Sequence, residues 1–309
     1  MASLRDYAAG VEDILRPYGD LDLLLYYGLI AEKLQAYLHG RELATLTRPP
    51  KGRVRAVVKR GSLNQPFYIE QMAGAVTPAL MDARKKFEHL DDAKHALSPE
   101  QALAWFYFMP RRYMGFLYAT NREGEGREIN RVVYEIVPGR NATAEDAIEV
   151  AALLARAVAE DERAAGLSNG RPFVSWTGNS FNVALSLKAM LPASFYRAEI
   201  EYTGKGDTLT DRLVAQVIKA SKRPVIGGSV RPPGHVIIDP SQTPSGQLSP
   251  VPLGSLHMES APASGGVPGG VSVPLTLDML HRDEVTDLLA YTPGRVIEEL
   301  DRLARRLPV

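Results

Sequence analysis

Two acids set in apolar runs are the residues of this chain best suited to chemistry. His235-Val236-Ile237-Ile238-Asp239-Pro240 reads as a buried strand that ends on a carboxylate. Glu135 sits inside a second run, Val132-Val133-Tyr134-Glu135-Ile136-Val137-Pro138-Gly139. Hard divalent ions take oxygen ligands, so two acids on two strands suggest a divalent-metal centre. Past Asp239 come Gly254-Ser255-Leu256-His257, a Ser/Gly/Pro loop, and Val271-Ser272-Val273-Pro274-Leu275. A strand-terminal carboxylate followed by a turn carrying Ser and His suits a metal-and-phosphate site. No phosphate-cradling P-loop and no two-histidine zinc spacing is present. The chain has no cysteine, which excludes disulfides, thiolate nucleophiles and cysteine-ligated zinc or iron–sulfur centres.

Each candidate also has a plainer reading. Asp239 before proline can be a turn cap at the strand exit, and Glu135 the solvent-facing member of a half-buried strand. Ser255 and His257 can belong to an ordinary turn, and Asn182 can be a strand residue paired to a neighbour. Arg48, Lys51, Arg53 and Lys59 form a basic cluster that suits either a phosphate backbone or a solvated turn. Arg111, Arg112 and Tyr113 invite the same two readings. Trp105-Phe106-Tyr107-Phe108 reads as core more than as a base-stacking platform.

The elements that must position these residues follow from periodicity. Residues 1–46 read as helices, with Leu21 to Tyr37 apolar at helical spacing and Gly40 as a stop. A short strand is expected at Val54 to Lys59 and a helix from Ser98-Pro99, with a loop over Asn121 to Arg127. Residues 142–165 read as one helix with Thr143 as N-cap and Gly166 as its end. Strands are expected at Phe173–Trp176, Phe181–Leu187 and His235–Asp239, with helices at 208–220 and at about Pro293–Leu307. Residues 260–270 read as a flexible loop. Strands and helices mix without regular βαβ alternation, so the expected class is α+β. The expected division is a helical and small-strand N-terminal module (1–120) and a catalytic-type core (121–309).

An apolar fraction of 45% and a charged fraction of 23% are those of an ordinary globular protein. Basic and acidic residues number 36 each, so no global positive field announces nucleic acid, though a local groove fits within a neutral total. No apolar run reaches the roughly 18 residues of a membrane span, and the N-terminus lacks a signal-peptide pattern. The expectation is a cytoplasmic protein with no membrane partner.

Taken in order, these landmarks resemble the polymerase domain of bacterial ligase D, a branch of the archaeo-eukaryotic primase superfamily, over nearly the whole chain. Tyr26-Tyr27, Leu38-His39-Gly40-Arg41 and Arg48-Pro49 resemble that family's opening, and Lys59 falls where it carries a lysine. Val132 to Gly139 resembles the strand "hhhDLDPG". Phe173 to Gly178 with Phe181-Asn182-Val183 resembles "FVKTSG … GLHV". Val236 to Asp239 resembles the third motif, and Pro252 to Leu275 resembles "PYSLR … APVSTPL". The resemblance implies a primase/polymerase-like core with mixed and antiparallel sheets flanked by helices. It also implies metal-dependent nucleotidyl transfer, in which magnesium or manganese held by carboxylates activates a 3′-hydroxyl and neutralises a triphosphate.

Several positions depart from that pattern. Glu135 stands for the first acid, Val137 for the second, Asn182 for a phosphate-binding histidine, Ser175 for a lysine and His257 for an arginine. Asp239 keeps the third acid. Losing one shared carboxylate from a two-metal site costs roughly a factor of 10² to 10⁴. The resemblance therefore implies a catalytically weakened or inactive polymerase-like protein that still binds DNA ends or primer–template and nucleotide. Its site residues would be Glu135 and Asp239 for metal, with Thr177, Asn182, Ser255 and His257 at the nucleotide. Arg48, Lys51, Arg53 and Lys59 would lie at the nucleic acid. Non-homologous end joining or other DNA repair, or priming, would be the setting, with a Ku-like protein or an ATP-dependent ligase as partner. Two alternatives stay open: an active polymerase or primase using Glu135 and Asp239 with manganese, and a structural or interaction protein that kept only the fold.

Overall fold

The computed structural model describes residues 20–41, 43–47, 56–58, 67–74, 76–87, 90–99, 114–120, 128–243, 248–257 and 270–308. Its strands are β1 (Leu43–Thr47), β2 (Ala56–Val58), β3 (Met114–Thr120), β4 (Ile129–Pro138), β5 (Phe173–Trp176) and β6 (Phe181–Leu191). Further along come β7 (Val225–Gly227), β8 (Val236–Asp239), β9 (Leu248–Pro250), β10 (Leu256–His257), β11 (Gly270–Val271) and β12 (Val273–Leu275). The helices that matter below are α1 (Asp20–Leu38), α2 (Ile69–Ala73), α3 (Pro78–Lys86), α4 (Ala144–Glu160), α5 (Glu162–Leu167), α6 (Leu209–Ala220), α7 (Pro293–Glu298) and α8 (Leu300–Ala304). The architecture is α+β, with a mixed sheet flanked by helices. Among the described residues no helix is long and apolar enough to cross a membrane.

Of the described residues, those within 1–119, 253–272 and 291–309 form one compact unit, and those within 120–252 and 273–290 another. The first unit is organised around α1. Its residues from Leu23 to Ala31 are apolar at almost every position, and nearly all are fully buried, as expected of a helix covered on all sides. The cover comes from α2, α3, α7 and α8. β1 runs antiparallel to both β2 and β3 in the same unit. β1 also corrects the helical reading of 1–46: Leu43–Thr47 lies past the stop at Gly40 and carries β-branched Thr45 and Thr47, and pairing with two neighbours decides it.

In the second unit a six-stranded sheet has the order β12-β5-β6-β4-β8-β7. All its pairs are antiparallel except β7 with β8. α4 and α6 pack on one face of this sheet and against each other. Tyr134 points to that face, where Thr210 of α6 donates to its hydroxyl at 3.4 Å. Alternation along a strand then sends Val133, Glu135 and Val137 to the opposite face.

Three helix boundaries differ from expectation. The helix expected over 142–165 begins as read, with Thr143 and Asp146 forming a reciprocal capping box. It breaks at Asp161, which turns extended at φ −80° and ψ 120° and caps a second helix by accepting from Arg163 N and Ala164 N. Arg212 clamps the other carboxylate oxygen at 2.7 Å. An acid that can cap locally interrupts an apolar stripe that periodicity alone would continue. Gly166 consequently lies inside α5 rather than ending a helix. The last helix likewise splits into α7 and α8 at Glu299, whose carboxylate is held by Tyr291, Arg295 and Arg302. The expected helix at 98–110, the loops at 121–127 and 260–269, the aromatic run at 105–108 and the basic residues 111–113 lie outside the described residues, apart from Ser98 and Pro99.

Candidate functional site

The two acids are brought face to face. β4 and β8 are neighbours, and Glu135 is directly opposite Asp239 in their register. On the other side of β4, Glu135 is directly opposite Asn182 of β6, and Asn182 is opposite Ser175 of β5. Cross-strand partners share a face, so Ser175, Asn182, Glu135 and Asp239 make one polar row across adjacent strands, on the face away from α4 and α6. Val137 stands on that same face two residues along β4 and is half-buried. Among the described residues no group of three or more His, Cys, Asp or Glu side chains is arranged so that it could hold a metal ion.

Like charges placed directly opposite on paired strands destabilise the pair, so this arrangement needs compensation. Arg231 supplies part of it, with Nη2 3.7 Å from Glu135 Oε2. The Arg231 side chain is 54% exposed, so its charge is partly shared with water. Burial pushes the Glu135 carboxyl up, Arg231 pulls it back and Asp239 pushes it up again; the net shift is upward. The polar side chains of Gln242 and Ser180 stand near Glu135 and favour its ionised form. Asp239 is buried and accepts from Ser241 N at 2.9 Å, the turn geometry its place before proline suggested.

Two backbone devices bring these partners in. Thr243 Oγ1 accepts from Val133 N at 2.9 Å and donates to Val133 O at 3.1 Å, which folds the segment after β8 back along β4 and sets Gln242 beside Glu135. Thr243→Val should cost about 1–3 kcal/mol, because both Val133 backbone groups lose a buried partner; a thermal melt reads this directly. The loop carrying Arg231 is held by the turn after β4. Gly139 N donates to His235 O at 2.9 Å and Gly234 N to Arg140 O at 2.6 Å. A Cβ on Gly139 would stand 2.7 Å from Pro232 O and 2.8 Å from His235 O, so only glycine allows this close backbone approach.

The remaining predicted residues among those described each have a defined local setting. Thr177 is buried at the tip between β5 and β6, where its hydroxyl knits the turn through Ser180 N, O and Oγ. It positions Ser180 beside Glu135. Ser255 and His257 belong to the first unit and are buried. Their segment is locked to α1: Tyr26 Oη donates to Gly254 O at 2.9 Å and Leu256 N donates to Tyr27 Oη at 3.1 Å. The Ser255 side chain also bonds the Tyr27 phenol, which burial pushes well above its usual value. Gly254 takes φ +77°, with Ile30 Cδ1 2.5 Å from where a Cβ would be, so the turn needs glycine on both counts. Arg48, Lys51, Arg53 and Lys59 lie outside the described residues.

Arg231, Gln242 and Ser180 escaped the sequence reading. Gln242 follows a strand-terminal acid closely in Asp239-Pro240-Ser241-Gln242, a polar run that could have drawn attention. Arg231 is one arginine of many, and only the sheet brings it to Glu135.

No family model matches the chain, and no curated protein does. Among solved structures, the chain is similar to the polymerase domain from Mycobacterium tuberculosis ligase D, determined in complex with DNA. The match has a TM-score of 0.54 and 16% identity, and covers 94% of this chain and 93% of that one. The two share a polymerase-domain-like fold.

Proposed function

We propose that this protein binds nucleic acid and nucleotide on a polymerase-like fold and that its nucleotidyl-transfer activity is weakened by an incomplete metal site. One observation carries the reading: Asn182, Glu135 and Asp239 stand side by side on adjacent strands of a sheet whose fold is similar to that of a polymerase domain determined with DNA. Glu135 and Asp239 would hold a magnesium or manganese ion, which when bound would supply charge neutralisation for a triphosphate. The chain's own contribution is to fix both carboxylates through sheet register and to orient Glu135 through Gln242 and Ser180. Arg48, Lys51, Arg53 and Lys59 would track phosphate backbone. DNA end joining or priming is the process this chemistry fits, with a Ku-like protein or an ATP-dependent ligase as the partner that would supply or seal the ends.

A second reading has its own support. Arg231 already neutralises part of Glu135, and Asp239 already caps Ser241, so the pair can be a self-satisfied remnant in a binding or structural protein. Primer extension on gapped and 3′-overhang DNA with manganese separates the readings. Extension by the wild type that falls at least about 10²-fold in Asp239→Ala supports the metal site. Absent extension with DNA binding that weakens steeply with salt leaves a binding module. Loss of both leaves a structural protein.

A further inference from the structure

Asn182 is buried in the middle of the sheet with 5% of its surface exposed, yet its Oδ1 has no hydrogen-bond partner. An unmet buried amide oxygen gives up its hydration without replacement, and folded proteins retain few of them. Asn182 lies directly across from Glu135, which lies directly across from Asp239. The orphaned oxygen therefore shares a face with two carboxylates that repel each other across the strand pair. Gln242 repeats the pattern: its side chain stands near Glu135, and its Oε1 is buried without a partner. Donors are short here and acceptors are in excess.

We propose that Asn182 Oδ1 joins the Glu135 and Asp239 carboxylates in ligating a single divalent cation, substituting a neutral amide oxygen for the carboxylate that Val137 cannot supply. Gln242 Oε1 stands by as a further oxygen. The inference deepens the metal-site reading above and rests on it. The set holds oxygens and no nitrogen or sulfur, which selects magnesium, manganese or calcium over zinc. With two negative charges in place of three, the site takes one ion weakly, which accounts for reduced chemistry without loss of the fold. Arg231 competes for the same Glu135 oxygen from the solvent side.

The test is a manganese titration of the full chain, reading free Mn²⁺ by electron paramagnetic resonance, on wild type, Asn182→Ala and Asn182→Asp. A DNA shift assay is run on the same preparations. Removing the amide should weaken manganese binding roughly 10- to 100-fold. Asn182→Asp, nearly isosteric, should tighten it about tenfold or more by adding a charged ligand. That variant carries the test even if Asn182→Ala does not fold. Equal manganese affinity in wild type and Asn182→Asp, or no manganese binding by wild type, overturns the inference. With DNA binding intact, that result leaves the nucleic-acid function standing. Manganese binding that follows Asn182, in a chain that binds neither DNA nor nucleotide, upholds the inference and overturns the function instead.

Discussion

Val137→Asp should raise manganese-dependent primer extension by roughly 10²-fold or more, because a third anion on the metal face supplies the largest missing electrostatic contribution. Val137 lies two residues from Glu135 along β4, so both side chains leave the strand on the face that Asp239 shares. The position is half-buried, so a carboxylate there keeps some contact with water and the strand should tolerate it. Without metal the variant should be less stable than wild type, since a third negative charge joins two that already face each other. With manganese the order of melting temperatures should reverse. Val137→Asn is the control: similar in shape, uncharged, and expected to give little gain. Adding Asp239→Ala should cancel the gain, since both acids serve one site. A Val137→Asp chain that binds manganese more tightly but extends no faster would show that the fold survives here as a binding module.

Asp211→Ala should lower stability by about 3–5 kcal/mol, a value in the far tail for single substitutions. Few carboxylates are so fully used. Asp211 accepts from Thr203 N at 2.9 Å, Gly204 N at 2.9 Å, Gly206 N at 3.1 Å and Asp207 N at 3.2 Å. It also accepts from Thr203 Oγ1 at 2.6 Å and completes the capping box with Thr208 at the start of α6. Removing it unties the loop over 203–208 and one end of a helix that packs on the sheet. At roughly 2–4 °C per kcal/mol for a unit of this size, the melting temperature should fall by about 6–20 °C. The pH dependence has a definite sign. Burial disfavours the ionised carboxyl, but the hydrogen bonds from Thr203, Gly204 and Thr208 outweigh it and hold the group well below the usual carboxylate range. A carboxyl depressed in the folded state adds stability above its unfolded value of about 3.9, and that stability is lost as pH falls through the acid range. Melting temperatures measured from pH 7 down to pH 3 should therefore drop more steeply for wild type than for Asp211→Ala. Parallel curves would mean the loop is held by something other than this charge.

The sheet was largely legible because its strands are apolar runs with clear ends. β4, β5 and β8 stand close to where the sequence put them, the Thr143 cap announces α4, and α6 follows the helix expected at 208–220. Helix continuity was less legible. Asp161 interrupts an apolar stripe where Arg212, from a helix far along the chain, holds its carboxylate, a partner invisible to local periodicity. Glu299 is held from one turn away on either side, by Arg295 and Arg302, yet the apolar stripe runs on past it and gives no sign of the break.

By itself, the sequence determined the residue types available for chemistry: two strand-borne acids, no cysteine, and a valine and an asparagine where the resemblance expects an acid and a histidine. Only the tertiary structure decided that Asn182, Glu135 and Asp239 stand in one row, because register is a relation between distant strands and a slip of one residue would send each side chain to the other face. It also decided that Arg231 and Gln242 attend Glu135. Their approach depends on backbone contacts at Gly139 and Thr243, whose partners lie far away in the chain.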